Sequence, residues 1–347
     1  MIEPETSFHS AFNEHYNLVS RKIIRALSDD ARLPISDLAK QLQLSRNTVR
    51  GRLTKLEKEL GIRYTIEFDE DKLGISNPHI IAVKFTKKPS NDYLRDIFSR
   101  SYIPQMVVSV KGSFDLLIFA NAISRDEYAH WDKSMQIFLA EYGVSWQPSE
   151  VAHRHLGFYA LRNELLDRLE IPPRYKTMLK ILNQDGRASF QQISKQSGMH
   201  FNTVAYAFRK LLSFGYIKRF TLVMKKPKDV TVMTHVAKYI ISELFEQDAK
   251  KTRSIFKSDE EYPVASRYML VHQLIGSNDH FAMGVFDDAE VAYRNYVGNY
   301  TKMMKPERPR VVYGTVDEVL LGDLPIRSVD INKEYRTLVW SPNFEKQ

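Results

Sequence analysis

The 347-residue chain contains no cysteine. This absence excludes disulfide bonds, cysteine-ligated zinc fingers, iron–sulfur clusters and thiol nucleophiles. Long apolar runs are also missing, since the longest have fewer than ten residues, whereas a membrane-spanning helix needs about 20. The first residues are acidic and lack the apolar run of a secretion signal. We therefore expect a cytoplasmic protein that does not enter the membrane.

The basic charge of the chain lies in two separate blocks. The chain carries a net charge of +8. Residues 16–65 hold 11 basic and 5 acidic side chains, and residues 172–221 hold 9 basic and 1 acidic. The two blocks together carry +14, which leaves −6 on all other residues. Such local charge suits a polyanion such as DNA, although a solvated helix face that docks on another protein is an alternative.

The two basic blocks are copies of each other. At an offset of 155, residues 21–65 align with 176–220 without a gap, and 11 of the 45 positions are identical. A second repeat follows each block, because the segment Gly112–Asp115 resembles Gly276–Asp279. The chain therefore has the order A–B–A′–B′.

The first block has the pattern of a winged helix-turn-helix. Apolar residues at helical spacing predict a first helix that ends at Asp29-Asp30. Ser36 is the predicted N-cap of a short second helix, Ser45 is that of the third, and Gly61 ends the third helix. The stretch 62–68 alternates in polarity and predicts a β-hairpin wing.

The third helix of the first block carries the predicted DNA contacts. Arginine binds guanine edges, asparagine binds adenine, glycine permits close approach, and lysine neutralises phosphates. The predicted DNA-binding residues are Ser45, Arg46, Asn47, Arg50, Gly51, Arg52, Thr54, Lys55, Lys58 and Arg63.

The second block differs on the equivalent helix. Arg46, Arg50 and Arg52 of the third helix of the first block are replaced by Phe201, Ala205 and Ala207. Three interpretations stay open, namely non-specific affinity, a T-rich half-site read through methyl contacts, and loss of DNA contact; we favour retained but unequal binding. The predicted DNA-binding residues are Asn202, Thr203, Tyr206, Arg209, Lys210, Lys218 and Arg219.

The segments that follow the two blocks each predict a βαββαβ unit, which is the ferredoxin-like order. In the first unit we expect strands at 79–86, 105–111, 116–122 and within 144–158, and helices at 92–99 and 125–142. In the second unit we expect strands at 232–244, 266–275, 281–286 and 310–320, and helices at 247–257 and 289–304.

The predicted fold class is therefore α+β, with two winged helix-turn-helix domains that alternate with two ferredoxin-like βαββαβ domains. The connector 159–171 is predicted as an amphipathic linker helix that Pro172-Pro173 ends. The predicted division is an N-terminal extension at 1–15, winged helix-turn-helix domains at 16–74 and 172–228, ferredoxin-like domains at 75–158 and 229–324, and a C-terminal extension at 325–347.

These residues resemble the Lrp/AsnC family of prokaryotic transcription regulators. The resemblance rests on Asp30-Ala31-Arg32 after helix one, Leu44–Val49 at the start of helix three, Gly61–Arg63 at the wing, Lys72–Gly74 before the next domain and Gly112–Asp115 in its central turn. Family members usually contain a single copy of this unit, whereas this chain contains two. In that respect it resembles tandem archaeal forms.

The resemblance implies that the ferredoxin-like domains pair through their sheets, either within the chain as a pseudo-dimer or between chains as a homodimer. It also implies a small-molecule effector, such as an amino acid, near Gly112, Asp115, Gly276 and Asp279. The alternative for these four residues is a plain hairpin turn. A pseudo-dimer with two unlike reading helices would prefer an asymmetric operator on double-stranded DNA.

Two other functions stay open. Siroheme decarboxylases resemble paired Lrp-type units, and His153, Arg154, His155 and Arg267 are the residues that could hold an anionic tetrapyrrole. An architectural DNA-binding protein with little sequence preference is the other alternative. The sequence has no phosphate-binding glycine loop or nucleophile motif, and His153 and His155 lack a third ligand. We therefore expect no enzymatic activity, no cofactor and no bound metal.

Overall fold

The computed structural model describes residues 18–225, 231–238, 268–286 and 310–326. The predicted helices 247–257 and 289–304 and most of both terminal extensions lie outside these ranges. Within them, the helices are all too short or too polar to cross a lipid bilayer.

The first block folds into a unit that we call head 1. Its elements are α1 (Leu18–Asp29), α2 (Ile35–Gln41), α3 (Arg46–Leu60) and β1 (Arg63–Phe68). As predicted, the Ser45 side chain accepts a hydrogen bond from the Thr48 N–H at 3.0 Å and caps α3. Gly61 ends α3 in the left-handed conformation, with φ +58°. The buried residues of α3 are Val49, Leu53, Leu56 and Leu60, which form the stripe that holds it on the core.

The prediction that Ser36 caps the second helix is wrong. Pro34 occupies the N-cap position of α2, with φ −61° and extended ψ. Its carbonyl accepts from the N–H groups of Asp37 and Leu38 at 3.0 and 2.9 Å. Because proline already has the φ that a helix entry requires, the helix begins one residue before Ser36.

The second block folds into a matching unit, head 2. Its elements are α7 (Pro173–Gln184), α8 (Phe190–Ser197), α9 (Phe201–Phe214) and β6 (Ile217–Met224). Ser189 and Gln192 form a reciprocal capping box at the start of α8. Gly215 ends α9 at φ +69°, in the same way that Gly61 ends α3.

The expected wing hairpin is absent from the described residues of head 1. Instead, β1 pairs antiparallel with β6 of head 2. Thr65 pairs with Thr221 and Ile66 pairs with Phe220, and an offset of 155 exchanges these two pairs. The two copies thus meet across a local two-fold axis. In this arrangement the cross-head strand pair satisfies the backbone groups that a hairpin would otherwise satisfy.

Between the two heads in the sequence, the first half of the sheet forms in the predicted βαββαβ order, although the helix predicted at 125–142 ends at Phe138. Its elements are β2 (Ser76–Phe85), α4 (Asn91–Ser99), β3 (Pro104–Gly112), β4 (Leu116–Ala122), α5 (Arg125–Phe138), a short 3-10 turn (Ala140–Tyr142) and β5 (Val144–Leu156). The strands lie in the order β3-β4-β2-β5.

The second half supplies four more strands in the same order. They are β7 (Thr231–Lys238), β8 (Tyr268–Gly276), β9 (His280–Phe286) and β10 (Arg310–Leu321), arranged as β8-β9-β7-β10. Strand β3 pairs with β10, and β5 pairs with β8, so that the eight strands close on themselves. A short strand, β11 (Leu324–Pro325), then returns to pair with β6 of head 2.

One apolar core runs from the heads into the closed sheet. It includes Leu27 of head 1, Leu182 of head 2, and Phe119 and Phe281 from the inward face of the sheet. A second cluster lies on the outward face, where Ile81 and Leu116 meet Phe98 of α4 and Trp131 of α5. Heads and closed sheet are therefore packed into one body.

The predicted linker helix is wrong in extent. Only α6 (Asn163–Asp167) is helical in the connector. Phe158 before the connector is buried, and so are the leucines of the connector, namely Leu161, Leu165, Leu166 and Leu169. Contacts with several elements hold the connector irregular, and the Arg162 N–H donates to the side chain of Gln105 at 2.8 Å. Pro172-Pro173 does not end a helix but begins α7.

Candidate nucleic-acid interface

The third helix of head 1 presents a basic and polar surface. Arg46, Asn47, Arg50, Thr54 and Lys58 are exposed. No described carboxylate lies within ion-pair distance of Arg46 or Arg50. The free N–H groups at the start of α3 lie at the same end as Arg46 and Asn47, so anion attraction and base-reading side chains coincide.

The remaining predicted residues at α3 differ in how far they are exposed. Ser45 and Lys55 are exposed, and Lys55 pairs weakly with Glu59 at 3.6 Å on the same helix. Arg52 is only half-exposed and lies at the edge of the core stripe. Gly51 is exposed, and a Cβ placed on it would meet no atom within 4 Å. Bare backbone at this position leaves room for a closely approaching ligand.

Two predicted phosphate contacts are engaged inside the protein. Arg63 donates to Asp323 at 2.6 Å and also to the carbonyl of Asn183. Arg219 donates to Glu67 at 2.6 Å. Both guanidinium groups therefore lie at the junction of the heads, and Arg63 and Arg219 are not presented to a ligand. Both residues were predicted to lie on wings that are free to contact DNA. Because β1 and β6 instead pair with each other, the side chains of Arg63 and Arg219 bind partners within the protein.

Helix α9 of head 2 presents a different surface. Asn202, Thr203, Tyr206 and Arg209 are exposed, and Lys218 on β6 is exposed as well. Among the large apolar side chains that remain exposed in the described residues, four lie on α9: Phe201, Tyr206, Leu212 and Phe214. Lys210 is half-buried, with its ammonium 5.8 Å from the ring of Tyr206. This surface is thus aromatic as well as basic.

A reciprocal pair of arginines joins the heads, and the sequence reasoning missed it. Arg32 of head 1 donates to the carbonyls of Gly186 and Ala188 in head 2, at 2.8 and 2.7 Å. Its equivalent Arg187 donates to the carbonyl of Ala31 at 2.6 Å. Burial lowers the pKa of Arg32, and the carboxylates of Asp185 and Asp30 oppose that shift. The sequence signal for this pair is the Asp-x-Arg triplet that recurs in both copies. The sequence alone does not show which residues these arginines contact.

The predicted effector residues of the first turn are part of a strand junction. Gly112 adopts φ +148°, and a Cβ on it would lie 2.6 Å from the carbonyl oxygen of Tyr313 on β10. The carboxylate of Asp115 accepts from the Phe85 N–H at 2.8 Å and from the Lys84 ammonium at 3.0 Å. Asp115 therefore binds the end of β2.

The second turn occupies the corresponding junction. Gly276 adopts φ +126°, and a Cβ on it would lie 3.1 Å from the carbonyl oxygen of Pro148. The Ser277 N–H donates to that same carbonyl at 3.3 Å. The Asp279 carbonyl accepts from the Leu274 N–H at 2.8 Å, which closes the turn. Both turns thus lie where one half of the sheet meets the other.

Arg154, a residue considered for tetrapyrrole binding, is held in a polar network inside the protein. It forms two hydrogen bonds with Glu70, one of them at 2.8 Å, and one with the Tyr159 hydroxyl at 3.1 Å. Tyr159 donates to Asn121 at 2.6 Å. Burial disfavours the charged form of Arg154, but Glu70, Tyr159 and Glu67 together outweigh burial and raise the pKa of the guanidinium. Its charge is therefore compensated by Glu70.

The other residues considered for that site are less informative. His153 is exposed on β5. Arg267 and the side chain of His155 lie outside the described set. The described residues contain no cluster of three or more potential metal ligands.

Comparison with known proteins supports the features of head 1. The model of the AsnC-type helix-turn-helix domain matches residues 19–57. An uncharacterized HTH-type transcriptional regulator from Pyrococcus furiosus is 30% identical over 119 residues, which cover 34% of this chain and 79% of that protein. The Bkd operon transcriptional regulator from Pseudomonas aeruginosa is 36% identical over 77 residues, which cover 22% of this chain and 50% of that protein.

A solved structure resembles nearly the whole chain. The siroheme decarboxylase NirDL aligns with a TM-score of 0.54 over 93% of this chain and 98% of that one, at 13% sequence identity. At that identity the likeness concerns the fold alone. The sequence match is instead to the regulators, and with 79% of a 30% identical regulator covered, the resemblance noted in the sequence is confirmed. The chain belongs to the Lrp/AsnC family of helix-turn-helix transcription regulators.

Proposed function

We propose that this protein is a DNA-binding transcription regulator in which head 1 reads duplex DNA in a sequence-specific manner. The observation that carries the proposal is the exposed surface of α3, where Arg46, Asn47 and Arg50 project beside the N-terminus of a capped helix. Arginine and asparagine can bind guanine and adenine edges through two hydrogen bonds each. Lys55 and Lys58 supply the phosphate contacts that set the register.

We infer that head 2 also contacts DNA, but unequally. Its candidate contacts are Asn202, Thr203, Tyr206, Arg209 and Lys218, which are exposed. Lys210 is retained with a weaker role because it lies against Tyr206 and Phe214. Arg63 and Arg219 are removed from the proposed contacts because Asp323 and Glu67 engage them.

We also propose that the chain is a tandem pseudo-dimer of two regulator units. The support is that the cross-head strand pair has two-fold register and that both halves of the sheet have the same strand order. Under this proposal the domains follow the predicted division, with the heads at 16–74 and 172–228 and the ferredoxin-like units at 75–158 and 229–324. Light scattering on the purified chain distinguishes a monomeric pseudo-dimer from a homodimer.

An effector site at the sheet junctions remains a proposal. Its support is the position of Gly112 and Gly276 where the two halves of the sheet meet. The carboxylate of Asp115 already binds Phe85 and Lys84, so a ligand there would have to displace Lys84. Asp279 is the equivalent candidate in the second turn, where its carbonyl accepts from the Leu274 N–H.

The test of DNA reading is the variant Arg50→Ala on a sequence selected from random duplexes by the full chain. We expect a loss of about 1–3 kcal/mol on the selected sequence and a smaller loss on random DNA. The exposed Arg100, which follows the last residue of α4 and pairs with Asp96, offers the matched control Arg100→Ala, which should leave both affinities unchanged. Equal losses of Arg50→Ala on both DNAs would instead indicate an architectural protein.

The alternative of a tetrapyrrole enzyme has the fold likeness in its favour. Against it, the Arg154 guanidinium is compensated by Glu70 and is not presented to the carboxylates of a ligand. Adding iron-uroporphyrin III to the protein and recording the Soret band separates the two functions. A saturable shift that Arg154→Ala abolishes would favour the enzyme.

A further inference from the structure

The reading helices of the two heads begin with opposite chemistry. Arg46 is the first residue of α3, and at the offset of 155 its equivalent is Phe201, the first residue of α9. The Phe201 side chain is 49% exposed. In helix-turn-helix proteins the N-terminal residues of the reading helix contact the base edges. Phe201 is one of four large apolar side chains that are exposed on α9, and such a set on one surface indicates a binding site.

Phe201 is braced from behind by a ladder of aromatic rings. Its ring meets Phe190 of α8 edge-on, at 6.1 Å between centroids. Phe190 packs on Phe208 at 5.0 Å, and Phe208 stacks on Phe220 of β6 at 5.9 Å. The guanidinium of Arg32 from head 1 covers the last two rings, at 4.9 and 4.6 Å. The ladder therefore supports one side of the Phe201 ring, which reduces the side-chain entropy that remains to be lost on binding.

Head 2 has this aromatic ladder and head 1 does not. At the offset of 155 its rings correspond to Ile35, Leu53 and Thr65, which have no ring. Head 1 forms the same helices with these non-aromatic residues, so the aromatic set is not needed for the fold. Its distinctive result is an aromatic ring, supported from one side, at the start of α9.

The surroundings of Phe201 favour duplex DNA over an apolar protein partner. Residues 172–221 hold 9 basic side chains and 1 acidic one. Asn202 is exposed next to the ring, and Arg209 is exposed two turns further along α9. The side chain of His200 accepts from the Asn202 N–H at 3.3 Å and caps the helix, which leaves the other N-terminal N–H groups for an anion. A polyanion with an apolar group at its reading edge matches this combination.

In the major groove, the apolar group on a base edge is the 5-methyl group of thymine. We propose that Phe201 is a specificity-determining residue that packs on a thymine methyl, so that head 2 selects thymine at the position where head 1 reads a guanine or adenine edge. This inference rests on the proposed DNA-binding function of the chain and assigns a base preference to its second head.

The test replaces thymine by deoxyuridine, which removes only the methyl group. The full chain first selects its preferred duplex from a random pool, and each thymine of the second half-site is then replaced in turn. We expect one replacement to weaken binding about fourfold, which is the equivalent of about 0.8 kcal/mol for one buried methyl group. Phe201→Ala should bind the thymine and deoxyuridine duplexes equally.

The matched control is Leu212→Ala. Leu212 is 43% exposed and lies on the same flank of α9, but near the other end of the helix. This variant should keep the full deoxyuridine effect, which excludes a general loss of apolar surface as the cause. Circular dichroism of Phe201→Ala checks that the helix content is unchanged.

The outcomes separate this inference from the proposed function. If the chain selects a duplex and Arg50→Ala weakens it, but no deoxyuridine replacement does, the methyl contact is wrong while DNA reading stands. If Phe201→Ala leaves DNA affinity unchanged, the aromatic face of α9 is a protein-docking surface and the inference is overturned. If the chain selects no duplex at low salt, the proposed function itself fails.

Discussion

The two heads share a scaffold and differ on the surface that it presents. Leu27 and Leu182 are equivalent at the offset of 155, and both are fully buried. On the reading helices, by contrast, the exposed Arg50 corresponds to Ala205 and the exposed Gly51 corresponds to Tyr206. The comparison teaches that the core of a head kept its apolar character, while the reading surface kept Asn47 and Thr48 as Asn202 and Thr203 but replaced the residues around them.

The junction of the heads is also unequal in detail. Arg32 lies over Phe208 and Phe220, whereas Arg187 lies 3.8 Å from the ring centroid of Tyr64. The backbone contacts of the two arginines nevertheless follow the same two-fold pattern. The pairing geometry therefore tolerates divergence of side chains because it depends mainly on backbone hydrogen bonds.

Removing the tie between head 1 and the closed sheet has the largest expected effect. Glu70 follows β1 and pairs with Arg154, whose side chain is 23% exposed, while the equivalent position of head 2 is Lys225. Glu70→Ala leaves this largely buried guanidinium without its counter-ion, so we expect the free energy of unfolding to fall by about 3 kcal/mol. Urea denaturation measures the change. The double variant with Arg154→Met should recover much of the loss, and an equal loss in the double variant would contradict this account.

The junction of the heads gives the next prediction. A Cβ on Gly186 would lie 2.5 Å from the backbone oxygen of Thr65, whereas its equivalent Ala31 is buried without such a conflict. Gly186→Ala should therefore destabilise the protein by about 1–3 kcal/mol through overpacking. Its control, Ala31→Gly, should cost about 1 kcal/mol, from chain entropy and the loss of one buried methyl group. Thermal unfolding that ranks the two variants in the reverse order would show that the heads are not packed as described.

The smallest effect is expected from a substitution of Gly51, which should raise the stability of the protein but lower its affinity for DNA. Because a Cβ there meets no atom of the protein, Gly51→Ala should stabilise the helix by about 0.5–1 kcal/mol. The same methyl group would stand between α3 and a closely bound duplex, so DNA affinity should fall. Chemical denaturation and fluorescence anisotropy measure the two effects. A variant that is more stable and binds DNA unchanged would show that the backbone at Gly51 does not approach the ligand.

Local features of the fold were predictable because local chemistry determines them. Ser45 and Gly61 bound α3 as predicted, since a side-chain acceptor and a left-handed glycine act on adjacent backbone groups. Strand β4 begins at Leu116 and ends at Ala122 as predicted. The error at Ser36 arose because Pro34 competes for the same role within two residues.

The candidate site was predictable in part. The exposed face of α3 followed from helical periodicity, which needs no knowledge of distant residues. Arg63 and Arg219 could not be placed in this way, because their partners Asp323 and Glu67 lie 260 and 152 residues away in the chain. The engagement of Asp115 by Lys84 was hidden for the same reason.

The sequence by itself determined the repeat, the helices of both heads, the alternation of the strands and the family to which the chain belongs. These follow from spacing and identity along the chain. The tertiary structure decided that β1 and β6 form one ribbon, that the eight strands close on themselves, and that Arg32 and Arg187 each bind the opposite head. Strand partners and buried ion pairs are set by which surfaces can exclude water together, and that depends on residues brought close only by folding.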